Sequence, residues 1–93
     1  MAVTLADAKA YLRVDTEDKS EDELIERLIL AARNLVLDVS RQDEKSLEER
    51  KAMADPAMYY AIAYLYEHRE KADYAELTMM LRAILFGIRK AEF

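Results

Sequence analysis

Apolar residues recur along this chain at intervals of three and four, the spacing of a helix face, and seldom alternate as the residues of a half-buried strand do. The longest stripe is Leu24, Ile25, Leu28, Ile29, Ala32, Leu35, Val36 and Val39. It predicts a long helix running to about Val39, opened by a capping box of Ser20 and Glu23. A shorter helix is expected upstream, where Thr4 and Asp7 have capping-box spacing, with Asp in place of the usual Glu. Leu5, Ala8, Tyr11 and Leu12 lie along it, and it ends near Val14. Downstream, Asp55 before Pro56 reads as a cap followed by a first-turn proline. The helix so opened runs to about Lys71, with Met58, Ala61, Ile62 and Leu65 inward and Tyr59 and Tyr66 flanking them. A last helix starts near Asp73 or Tyr74, turns Leu77, Met80, Leu81, Ile84 and Ile88 inward, and meets Gly87 as its terminator.

Between the long helix and the third lies 40–54, a stretch of balanced charge that predicts a loop with one short helical turn, capped by Ser46 and Glu49. The reading is therefore all-α: a small single-domain bundle of about four helices, two long and two shorter, spanning 1–93. The segment 88–93 is expected to form a poorly ordered tail. Some apolar residues are left over by this arrangement. Leu30 and Leu37 project about 160° from the centre of the core stripe at about 100° per residue, beside Glu26, Arg33 and Asn34. Tyr60, Tyr64 and His68 form a row at i, i+4 and i+8, and Met79, Ala83 and Phe86 form another on the last helix. Rings with polar tips suit a half-wet boundary such as a subunit interface. Leu30, Leu37, Tyr60, Tyr64, His68, Phe86, Ile88 and Arg89 are thus the candidate contacts with a neighbouring subunit or partner, the last two because little core remains to cover the end of the chain.

Composition narrows the function more than it names one. A net charge of −5 disfavours binding that depends on neutralising phosphates. There is no Cys, hence no disulfide framework or thiolate site, and the first residues lack the basic-then-apolar order of a signal peptide, so a cytoplasmic setting is expected. His68 is the single histidine; it has no orienting partner at helical spacing, and the neighbouring charges pair as Glu67 with Lys71 and Arg69 with Asp73. A structural or interfacial histidine fits better than a general base. The segment DTEDKSEDELIE places Asp15 and Glu26 at the ends of a calcium-loop spacing, but Ser20 occupies the glycine position and Lys19 and Asp22 break the pattern. No glycine-rich phosphate loop, nucleophile elbow or zinc motif is present. The chain is read as non-catalytic, with no cofactor and no metal.

Three segments, VTLADAKAYLRVD, LIERLILAARNLV, and YAIAYLYEHRE followed by LRAILFGIRKAEF, resemble in that order the phage head-tail connector proteins of the gp6-like family. The resemblance covers nearly the whole chain apart from 40–54. It aligns the family's first motif with Lys9, Tyr11, Leu12 and Arg13, its second with Tyr66, Glu67, Arg69 and Glu70, and its terminal motif with Ile84 through Arg89, where Ile84 replaces a leucine. It implies a structural protein that forms a ring below the portal of a tailed phage or prophage, extends the DNA channel and links capsid to tail. The implied partners are the portal and the tail-completion or stopper proteins. DNA would pass without sequence-specific binding, no membrane would be involved, and the protein would lie in the host cytoplasm during assembly and at the head-tail junction of the virion. The other reading is a small helical regulator that binds DNA or a protein partner, although neither the second nor the third helix is basic enough for a recognition helix.

Overall fold

Thr4 opens the first helix as its spacing predicts: its hydroxyl accepts from the Asp7 N–H at 3.1 Å, and the Asp7 carboxylate accepts from the Thr4 N–H at 3.1 Å. That helix, α1, spans Leu5–Leu12. In the computed structural model, which describes residues 3–86, it is followed by α2 (Asp22–Ser40), α3 (Glu44–Glu49), α4 (Lys51–Glu67) and α5 (Tyr74–Ile84). No strand forms among the described residues.

α2 and α4 share the most extensive contact, and α1 and α5 each pack on both of them. The phenol of Tyr66, near the end of α4, donates to Glu21 just before α2 at 2.5 Å, so the two long helices run antiparallel. Between them lie Ile25, Ala32, Val36 and Val39 from α2 and Ala57, Met58, Ala61, Ile62 and Leu65 from α4, all buried. Val3, Ala8 of α1, Leu47 of α3 and Leu77 and Leu81 of α5 join the core, together with Leu85, which follows α5 and is fully buried. The inward positions expected of the stripes are buried or partly buried, with Met80 an exception at 40% exposed and Ile88 outside the described residues. Tyr11 also departs from expectation: it is 52% exposed and stacks on Tyr59 at 4.8 Å between ring centroids.

The helix boundaries differ from expectation for identifiable reasons. Ser20 does not cap α2; its hydroxyl and its N–H both donate to the Asp18 carboxylate, at 2.7 and 3.0 Å, and α2 starts at Asp22 without a side-chain cap. Asp55 does not open α4 either. The good helix formers Lys51 to Ala54 extend the helix four residues upstream, where Ala54 is fully buried, and Pro56 lies inside α4. Asp43, not Ser46, caps α3, accepting from the Ser46 N–H at 2.8 Å. At its other end α4 stops at Glu67, four residues before Lys71, with His68 as its C-cap. α5 opens on Asp73, which accepts from the Glu76 N–H at 3.0 Å, and ends at Ile84. Gly87, Ile88, Arg89 and the expected tail at 88–93 lie outside the described residues.

With no glycine available at these points, α1 and α2 end on arginines in the left-handed region, Arg13 at φ 61° and Arg41 at φ 57°. Beyond Arg13 the chain wraps around Lys9, whose side chain is nearly fully buried. Its ammonium donates to the carbonyls of Thr16 at 3.2 Å and Asp18 at 2.6 Å and to the carboxylate of Asp22 at 2.5 Å. All three donor hydrogens of the ammonium are used, which is what makes a buried cation tolerable. Replacing Lys9 by Met would leave these oxygens without a donor. We expect the variant to lose about 3 kcal/mol of stability in urea unfolding, with faster amide exchange over residues 14–21.

Candidate interaction surface

The residues that carried candidate chemistry are held in place by contacts within the chain. Because α4 ends at Glu67, the pairs expected on its continuation, Glu67 with Lys71 and Arg69 with Asp73, do not arise on one helix. Arg69 instead reaches back 48 positions to Glu21 at 3.4 Å, with its guanidinium 4.6 Å from the centre of the Tyr66 ring. Tyr66, Arg69 and Glu21 therefore form one cluster that closes the end of the α2–α4 seam. The bond to Glu21 raises the Tyr66 phenol above its ordinary pKa, and desolvation adds to the shift. Tyr59, beside Tyr11, is raised by burial first and then by the carboxylates of Asp7 and Asp55. Glu67 and Glu70 of the same segment are exposed.

The expected row of Tyr60, Tyr64 and His68 is divided between core and surface. Tyr64 is buried, and its hydroxyl exchanges two hydrogen bonds with the backbone of Asp73, accepting from the N–H at 3.0 Å and donating to the carbonyl at 3.2 Å. It joins the end of α4 to the start of α5, a tertiary role. His68 stacks on Tyr64 with ring centroids 4.1 Å apart. Its Nδ1 lies 2.9 Å from the Tyr64 carbonyl oxygen, so Nδ1 is the donor in that bond and caps the helix end. Tyr60 is half-buried.

The calcium-loop spacing is likewise accounted for by local bonds. Asp15 accepts from the Glu17 N–H at 2.9 Å, Asp18 accepts from Ser20, and inward oxygens of the loop face the Lys9 ammonium. The Ser20 hydroxyl and then the Ser20 N–H hold Asp18 below the usual carboxylate range. Among the described residues no group of three or more His, Asp or Glu is placed to hold a metal ion.

Of the two leucines expected to face outward, Leu30 does so at 54% exposed, whereas Leu37 is half-buried and packed against the core. Leu37 borders a groove between α2 and α5 together with Thr78 and Arg82, so α5 covers the face that helix phase alone left open. An apolar stripe runs along the outer face of α5 and into the turn after it: Met79 is 68% exposed, Phe86 is 83% exposed, and Ala83 is exposed between them. Arg82 is exposed within the same stripe. On the other side of α5, a groove of about 340 Å³ is lined by Tyr11, Tyr60, Tyr64, Glu67, His68 and Glu76. Glu21, Glu76 and Arg82 were not singled out from the sequence, since no local spacing signals a contact 45 positions away or a groove shared by three helices.

The Tyr66 cluster makes a pH-dependent contribution. A raised phenol pKa means that the stability it provides is complete below the unfolded value of 10.0 and is lost as pH rises through the higher folded value. Tyr66→Phe should lower stability at neutral pH by about 1 kcal/mol and flatten the alkaline side of the stability profile, measured by urea unfolding across pH.

No helix among the described residues is long and apolar enough to cross a membrane. Residues 2–90 match the family model of the phage gp6-like head-tail connector protein, while no curated protein and no solved structure matches the chain.

Proposed function

The chain belongs to the phage gp6-like head-tail connector family, and from that membership we propose that it acts as one protomer of a ring seated below the portal, linking capsid to tail and extending the DNA channel. The observation that carries this reading is the family match over 2–90, joined to a stripe of Met79 and Ala83 on α5 and Phe86 just after it that stays exposed among the described residues. A ring protomer buries two different flanks, one on each neighbour, and needs apolar surface outside its own core to do so.

In this reading α5 and the exposed Leu30 of α2 meet neighbouring subunits, the portal or the tail-completion protein. The net charge of −5 suits a conduit that repels phosphates and lets DNA slide through without sequence-specific contacts. The role is structural: His68 caps a helix, Lys9 holds a loop, and neither is poised for proton transfer to a substrate. The protein would be assembled in the host cytoplasm and act at the head-tail junction of the virion.

Phe86→Glu and Met79→Glu test this reading, because both side chains are exposed and their loss should change stability by no more than about 0.5 kcal/mol. Mixed with purified portal and viewed by electron microscopy, the unaltered protein should add a ring to the portal and the two variants should not. Absence of any added density with the unaltered protein would overturn the connector role. Full docking by both variants would remove α5 from the interface.

A further inference from the structure

The two flanks of α5 carry opposite charge, and they do so toward opposite ends of that helix. One flank is the tyrosine groove, whose carboxylates are Glu67 and Glu76. It lies where α4 ends and α5 begins, the end at which α2 also starts. The other flank is the groove between α2 and α5, where Arg41 and Arg82 stand with Asp38. It lies where α2 ends and in the later turns of α5. Arg82 and the carboxylates of Glu67 and Glu76 are exposed, and none of them forms an ion pair with another described residue.

A single copy cannot bring these groups together. Glu76 and Arg82 are six residues apart on one helix, a separation of about 9 Å along the axis and about 120° around it. The attraction is available only between two copies, the acidic flank of one facing the arginine flank of the next. Resting on the ring reading above, we infer that the neighbouring subunits meet head to tail, with Arg82 of one copy entering the Tyr60 and Glu67 groove of the next.

The groove is chemically suited to that guest. At about 340 Å³ it is large enough for an arginine side chain. Its tyrosine rings offer the guanidinium a π-rich wall, and two carboxylates stand at hand for bidentate pairing. The guest side fits as well, because Arg82 lies in the stripe of Met79, Ala83 and Phe86, so the apolar side chains beside it would be covered in the same contact. A contact between two different surfaces also repeats from copy to copy, which a contact between identical patches does not.

Charge reversal tests the pairing through complementation. Glu67→Arg removes the groove's net negative charge and sets an arginine where Arg82 of the neighbour would enter, and Arg82→Glu sets a carboxylate against the acidic groove. In sedimentation velocity over rising protein concentration at low salt, the unaltered chain should associate reversibly, and each variant alone should need at least tenfold more protein to do so. An equimolar mixture of the two variants should associate again, since each then meets the opposite charge on both sides, and the double variant should associate by itself. Circular dichroism melts confirm that each variant is folded; should one fail, Glu67→Gln and Arg82→Gln serve as the weakened pair, with loss of association expected for each. Association unchanged by the reversals, no recovery on mixing, or an unaltered chain that stays monomeric at millimolar concentration would overturn the pairing. Ring addition to portal, read separately by microscopy, would still stand or fall independently.

Discussion

The antiparallel seam between α2 and α4 is the constraint on which the other elements depend. α1 and α5 each pack on both helices, and α3 is the short link that lets the chain reverse from one to the other. The seam is apolar along its length and closed by polar bonds at one end, where Tyr66 and Arg69 share the carboxylate of Glu21. Apolar burial supplies the larger part of the attraction but is indifferent to sliding one helix along the other. The bonds to Glu21 are directional and fix the register. Tyr64 then fixes α5 against the same end through its two bonds to Asp73.

Much of this was legible in the sequence because it is periodic. The core positions of α2 and α4 follow from the 3.6-residue repeat alone, and the Thr4 and Asp7 box is a signal carried by four consecutive residues. What could not be read depended on distant partners. Ser20 had the spacing of a cap, yet Asp18 competes for it in a loop whose shape is set by Lys9. Leu37 had the phase of a surface residue, yet α5 lies over it. Pro56 is a good first-turn residue, but burial of Ala54 favours an earlier start. The motif residues shared with the connector family were legible only as letters. Lys9 holds a loop, Arg13 ends a helix, and Tyr66 and Arg69 lock a seam, so the structure gives these positions intramolecular roles.

That division bears on how a surface can vary while a fold persists. Lys9, Tyr66 and Arg69, which match the family motifs, are engaged inside the domain, whereas Met79, Arg82 and Ala83 on α5 and Phe86 just after it are exposed. Change on that exposed stripe therefore alters what the protein touches at small cost to what it is, while Leu77 and Leu81 of the same helix stay in the core. Change at Tyr64 or Tyr66 does the reverse, since each hydroxyl holds two elements together.

The loop around Lys9 carries one more consequence. Many acidic loops keep their shape by borrowing a divalent ion from the medium, and they loosen when a chelator or a competing cation removes it. Here the positive charge is covalently part of the chain and shielded from solvent, so it can be neither extracted nor exchanged. A loop of this kind does not depend on a bound divalent ion for its shape. The acidic segment between α1 and α2 is thus insulated from ionic fluctuations to which an ion-borrowing loop would respond.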